Sequence, residues 1–316
     1  MVVEEKPAES QPEVRVRWAN VERLRILAMF EIIGFHSASE RLILLGGIGL
    51  PIFLILTNLF NCTVSDRRGF RQFARDKFSR LFYPWLFWCA VYGVAHAAFA
   101  MRRDVPLSKV FDPLMLLYGT NLHLWFVPFA LVSGVSVAYV QSLTRKQSHG
   151  RMIFLSASAG AVLLLATAYV HTLRGFPAPF SQYIYAASSP FIGFAMGRTL
   201  LVNPEKRFAA FSVLCIAGAV FVPIALALPI KLFAVRFAVA AVFVGLALMW
   251  PGTSDWLTKK LAPLLLGIYL IHPLLIRFTK RGAVVDDYIV LYIFAVFLLS
   301  ALAIFFMRKT PLKRFT

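Results

Sequence analysis

Charge is scarce in this chain of 316 residues: only 15% are Asp, Glu, Lys or Arg, against about 25% in an average soluble domain. Hydrophobic residues reach 59%, and the mean hydropathy is +0.72. A soluble fold of this size has no core large enough to hide that much apolar surface. A soluble globular domain and a disordered chain are therefore both excluded. Cysteine is nearly absent. Cys62, Cys89 and Cys215 are odd in number and scattered, which excludes a disulfide scaffold and offers no metal-ligand spacing. Acid is the scarcer charge, with 15 Asp+Glu against 33 Lys+Arg and a net charge of +18. In a soluble protein that excess points to nucleic acid. Here the basic residues collect in short segments between apolar runs, the positive-inside pattern, so no nucleic-acid partner is expected. Gly-x-Ser-x-Gly, a Walker loop and His-Glu-x-x-His are missing, as are paired carboxylates within an apolar run. No apolar h-region precedes residue 18, so the start does not read as a cleavable signal peptide.

What the chain has in abundance is apolar runs of about 20 residues, the length that crosses a hydrocarbon core. Ten are expected, at 20–39, 42–62, 81–100, 121–141, 152–173, 182–201, 208–228, 230–250, 261–279 and 288–307. The expected fold is an all-α polytopic membrane protein of about ten transmembrane helices with no appended soluble domain. Residues 1–17 read as a disordered cytoplasmic tail, 18–307 as the membrane domain and 308–316 as a basic cytoplasmic tail. With the N-terminus inside, most Lys and Arg fall in the segments on the inner side of the membrane, which places both termini in the cytoplasm. The longest connection, about 66–80, reads as a basic loop. Pro51, Pro84, Pro128, Pro190, Pro223 and Pro273 lie within or at the ends of spans, where neighbouring helices can satisfy the freed carbonyls. Small residues are too frequent in the spans to specify an oligomer.

The first span carries the most chemistry. Arg25 and His36 are eleven residues apart. Eleven steps of 100° come to about 20° beyond three full turns, so the two share a helix face, about 16 Å apart along the axis. Arg25 belongs near the cytoplasmic surface, where the ordinary role is snorkelling. His36 belongs in the outer half of the membrane, where an ionisable group is a functional candidate and an interhelical hydrogen bond is the plain alternative. Glu31 lies in the same span, about 240° from Arg25 on the helical wheel, and needs a partner of its own. Lys77 and Arg80, three residues apart, share a face if helical and can grip phosphate. For the surrounding basic stretch as a whole, topology and contact with anionic headgroups are the better account. Asn121-Leu122-His123-Leu124-Trp125-Phe126 opens the fourth span, and Gly267-Ile268-Tyr269-Leu270-Ile271-His272-Pro273 lies in the ninth. His123 suits a polar acceptor or water, Trp125 suits the aromatic belt, and His272 suits a structural hydrogen bond. His96, His149 and His171 receive no role.

Together these motifs make the chain resemble the membrane-bound acyltransferase family 3, over about 18–307. Arg25 and His36 match its Arg-x10-His pattern. Glu22-Arg23-Leu24-Arg25 is similar to the family's acidic-x-x-Arg opening. Gly49-Leu50-Pro51-Ile52-Phe53-Leu54 resembles its second-span motif, with Thr57-Asn58 where Ser-Gly is usual. Lys77-x-x-Arg80 stands for its Arg-x-x-Arg. Tyr83-Pro84, the His123 stretch and Tyr269–Pro273 also resemble family signatures. The resemblance implies an acyltransferase, an O-acetyltransferase foremost, that uses acyl-CoA (acetyl-CoA) as co-substrate and needs no bound cofactor and no metal. It implies a cell-surface polysaccharide or its lipid-linked precursor as acceptor, and a bacterial inner (plasma) membrane as location. His36 is then the general base, since imidazole titrates near neutrality. Arg25, Lys77 and Arg80 hold the phosphates of acyl-CoA, and His123, Trp125 and His272 form an acceptor or structural site.

Two other classes fit part of the pattern. A transporter or flippase of a glycan or lipid, without bond chemistry, would also carry ten spans, proline kinks and buried charge. A membrane scaffold would need none of the clustered cations.

Overall fold

Residues 18–37, 47–107, 111–227, 232–253, 255–279 and 288–316 are described by a computed structural model. The tail expected over 1–17 lies outside the described residues. In a membrane, backbone polar groups must be paired within the chain, which leaves helices as the natural element for apolar runs. The described residues form helices and turns, with no strand among them.

In chain order the helices are α1 (Ala19–Ser37), α2 (Gly49–Arg68), α3 (Phe70–Met101), α4 (Phe126–Thr144), α5 (His149–Leu173), α6 (Phe180–Ala186) and α7 (Ser189–Leu200). They continue with α8 (Pro204–Ala227), α9 (Phe233–Met249), α10 (Trp256–Leu261), α11 (Leu265–Thr279) and α12 (Ile289–Met307). Two 3-10 turns matter for the site: Leu122–Trp125, which leads into α4, and Pro311–Phe315 at the end of the chain.

Within the described residues each of the ten expected stretches holds helix, while 38–39, 42–46, 228 and 230–231 of those stretches lie outside the described residues. Seven helical segments among the described residues are long and apolar enough to cross a membrane. The other three fall short for physical reasons. α1 carries Glu22, Arg23, Arg25 and Glu31. The expected span 182–201 breaks between α6 and α7. α9 is 17 residues long. The basic loop expected at about 66–80 is a correction: it is helical except at Gly69, whose φ of 79° separates α2 from α3. Lys77 and Arg80 therefore sit on a continuous helix.

α2 is the central element and packs against α1, α4, α7 and α9. α1 also touches α11 and α12. The main core runs through Ile26, Met29 and Ile33 of α1, Ile52, Ile55 and Leu59 of α2, and Leu265 and Ile268 of α11. α8 and α12 instead leave large apolar side chains exposed, among them Val213, Ile216, Val290 and Leu291. A belt of that kind belongs against lipid, and the chain is an integral membrane protein.

Two contacts fix the frame around the site. Gly193 and Gly197 of α7 face α2, and a Cβ added at Gly193 would lie 2.6 Å from the Asn58 Cβ and 2.7 Å from the Ile55 carbonyl oxygen. This small-x-x-x-small pair lets the two backbones meet closely. At the start of α1, Arg23 donates to Asp255 Oδ2 through Nη2 at 2.7 Å and Nε at 3.1 Å. Asp255 in turn caps α10 by accepting from the Thr258 N–H at 2.7 Å. That N–H and then the Arg23 guanidinium hold its carboxyl down at about 2.

Gly193→Val should destabilise the detergent-solubilised protein by about 1–3 kcal/mol, the usual cost of overpacking. An unchanged melting temperature would show that α7 can move off α2 freely.

Candidate active site

α1 connects two chambers. The first holds about 570 Å³ and is walled by Arg25 and Glu22 of α1, Lys77 and Arg80 of α3, and Thr57 of α2. Lys259, Arg308 and Arg314 complete its charged wall. Within it Arg25 Nη1 donates to Glu22 Oε2 at 2.8 Å. Lys77 Nζ donates to Asn61 Oδ1 at 2.9 Å. A side pocket of about 220 Å³ shares Lys77 and Arg80 and adds Asn61 and Arg68. Six cationic side chains against one acidic side chain suit this chamber to a polyanion.

The second chamber holds about 490 Å³ and is walled by His36, Glu31, His123, Trp125, Asn121, Gln182, Tyr185 and Arg236. His36 is exposed to it rather than packed away, so an incoming hydroxyl can reach the ring. Ile32, Leu50 and Tyr269 line both chambers. The two spaces are thus divided by three side chains, with Arg25 on one side and His36 on the other.

The structure brings His36, His123 and His272 together, which the separate motifs could not show. The His36 and His272 ring centroids are 5.3 Å apart, and those of His123 and His272 are 6.0 Å apart. A proline creates part of this order. Pro273 has no N–H, so it cannot pair with the Tyr269 carbonyl one turn back. His272 Nδ1–H takes that carbonyl at 2.8 Å. The tautomer is thereby set, with the lone pair on Nε2, which is buried and has no hydrogen-bond partner among the described residues. His123 is fixed in a similar way. Its Nε2 lies 3.4 Å from the Leu270 carbonyl, which also accepts from the Tyr92 hydroxyl at 2.9 Å. The Tyr269 hydroxyl donates to the His123 carbonyl. Among the described residues no group of three His, Cys, Asp or Glu has the spacing to hold a metal ion.

Glu31 finds its partners here. Its Oε2 accepts from the Gly49 N–H at 2.8 Å, and the Arg236 guanidinium interacts with it electrostatically. It opens into the same chamber as His36, although the helical wheel sets it well away from the Arg25/His36 face. The chamber wraps around a wide arc of α1 and reaches α9. Arg236 was the residue sequence reasoning passed over, and the signal was present: a lone arginine in an apolar span. Lys259, Arg308 and Arg314 carried no such signal, because basic residues at span ends are the rule.

The architecture defines an all-α polytopic integral membrane protein. A family model described as an acyltransferase domain matches residues 18–308, nearly the whole chain. The chain belongs to that family, the membrane acyltransferases for surface polysaccharides, and is a membrane acyltransferase. Comparison with curated proteins and with solved structures gives no significant match.

Tyr269→Phe deletes the hydroxyl that satisfies the His123 carbonyl. It should lower stability by about 1 kcal/mol, read as a drop in melting temperature. A variant as stable as wild type would mean that the Leu122–Trp125 turn is held by other contacts.

Proposed function

We propose that the protein transfers an acyl group, acetyl foremost, from acyl-CoA to a hydroxyl of a cell-surface polysaccharide or its lipid-linked precursor. One observation carries the reading: a cationic chamber and a histidine-lined chamber lie at opposite ends of α1 and share the wall of Ile32, Leu50 and Tyr269. Arg25, Lys77 and Arg80 bind the donor's phosphates. The flexible thiol arm then carries the acyl group toward the shared wall. In the second chamber His36 removes the proton of the acceptor hydroxyl as its oxygen attacks the thioester carbonyl. The carbon–sulfur bond breaks, an ester forms, and CoA leaves as the thiolate, which takes up a proton. Acylation of His36 itself, followed by transfer, uses the same residues in two steps. His123, Trp125 and His272 line or support the acceptor side.

CoA is a cytosolic molecule, so the cationic chamber is assigned to the cytoplasmic face of a bacterial inner membrane. Both ends of the described chain, Ala19 of α1 and the Arg314 turn, line that chamber, which agrees with cytoplasmic termini. Transfer then proceeds across the membrane. No resident cofactor is required by this chemistry.

Acetyl-CoA at 100 times its dissociation constant should stabilise the purified protein by about 2.7 kcal/mol. His36→Ala should retain that stabilisation. Arg25→Ala and Arg80→Ala should weaken donor affinity by roughly tenfold or more. With a polysaccharide acceptor, wild type should release free CoA thiol and His36→Ala should not. A well-folded wild type that no acyl-CoA stabilises would sink the donor assignment, and movement of substrate without thiol release would favour a transporter.

A further inference from the structure

Three cations of the first chamber have no task in the reading above: Lys259, Arg308 and Arg314. They come from three separate places, α10, the residue after α12 and the closing 3-10 turn. Among the described residues none of them pairs with a carboxylate. Nor does Arg314 sit on a loose end. Its neighbour Phe315 stacks on Phe87 of α3, with centroids 4.5 Å apart and planes 4° apart. The Trp88 indole donates to the Phe315 carbonyl at 3.1 Å, and Thr310 caps the turn by accepting from the Leu312 N–H at 3.2 Å. Arg308 is tied to the turn that precedes α11 through a bond to the Pro263 carbonyl at 3.1 Å. That bond uses one of its five donors and leaves the others for a ligand. Arg25 and Lys77 are half-buried, whereas Arg80, Lys259, Arg308 and Arg314 are exposed. The chamber therefore has a deeper cationic pair, which Arg80 joins from the same face of α3, and a second set at its mouth carried by other elements.

We propose that Lys259, Arg308 and Arg314 form a second phosphate subsite, which takes the ribose monophosphate of the CoA donor while Arg25, Lys77 and Arg80 hold its diphosphate. The proposal rests on the donor reading. The order of groups in the donor supports it: thioester, pantetheine arm, diphosphate, then ribose with its monophosphate. With the thioester end toward Ile32, Leu50 and Tyr269, the diphosphate meets the deeper cations and the monophosphate reaches the mouth. Six cations against Glu22 also exceed what a diphosphate alone would neutralise. Two arginine forks suit a phosphate dianion, whose oxygens accept paired N–H bonds.

CoA and dephospho-CoA differ only in that monophosphate. Their dissociation constants should be measured on the full-length protein in nanodiscs. Wild type is expected to bind CoA roughly tenfold or more tightly than dephospho-CoA. The double variant Arg308→Gln/Arg314→Gln should bring the ratio close to one and leave dephospho-CoA binding nearly unchanged. Phe315→Ala, which frees the turn but keeps Arg314, should also lower the ratio. Lys313→Gln removes the same charge from the same turn but lies outside the chamber wall, and should preserve the ratio. Lys77→Gln should weaken both ligands alike. The subsite is overturned if the double variant keeps the wild-type ratio, or if Lys313→Gln lowers it equally. Equal binding of both ligands by wild type would remove the subsite and leave the donor reading standing. Binding of neither would remove both.

Discussion

α1 carries Glu22, Arg23, Arg25, Glu31 and His36 into an apolar setting, and an unpaired polar group there is expensive. The need to satisfy those side chains organises the rest of the molecule. Arg23 is met by Asp255, which also starts α10. Arg25 is met by Glu22 within its own helix. Glu31 draws in the Gly49 N–H at the start of α2 and the charge of Arg236 from α9. His36 opens into a chamber instead. Arg23 and Glu31 thus recruit different neighbours. The helix that would pack worst as a membrane span becomes the axis on which the others are placed.

Tyr269 is the second organising point, and its three parts act separately. Its carbonyl, released by Pro273, fixes the His272 tautomer. Its hydroxyl secures the turn that carries His123. Its ring stands between the two chambers. A single residue therefore couples the orientation of two histidines to the wall that separates the cationic chamber from the histidine-lined one. The kink at Pro273 has a specific use here. A continuous helix would keep the Tyr269 carbonyl for its own ladder and leave His272 Nδ1 without that partner.

The helical plan was legible from apolar run length, and the relation of Arg25 to His36 from helix periodicity alone, because both are local properties. The histidine cluster was not. His36, His123 and His272 stand on three elements, and no local period relates them. The cationic mouth escaped notice for another reason: a functional arginine at a span end looks the same as one that sets topology. Gly193 and Gly197 form a spacing that recurs by chance in apolar sequence, so only the facing α2 backbone gives it meaning. The stretch at 66–80 misled because its charge density suits a loop. As helix, its charges find separate places: Arg68 pairs with Asp76 at 3.0 Å, Asp66 with Arg145 at 3.4 Å, Lys77 and Arg80 line the chamber, and Arg67, Arg71 and Arg75 are exposed.

The departures from the family pattern look less damaging in three dimensions than in the sequence. Thr57 keeps a hydroxyl-bearing side chain on the cationic wall. Asn58 stands where the resemblance expects glycine, a position where α2 would be approached closely. The close approach is kept from the other side, because Gly193 of α7 leaves the space that Asn58 occupies. The Asn58 Nδ2 donates to the Leu54 carbonyl at 3.0 Å and to the Ser189 hydroxyl at 3.4 Å, while its Oδ1 is buried without a hydrogen-bond partner among the described residues. Lys77 gives up the paired fork of an arginine but keeps its charge, and Asn61 holds its ammonium at the boundary of the main chamber and its side pocket. Arg25, Arg80, Arg308 and Arg314 still supply forks to the same space. The substitutions therefore change which polar atoms face the cationic chamber and which helix supplies the glycine, while the two chambers and the wall between them are kept.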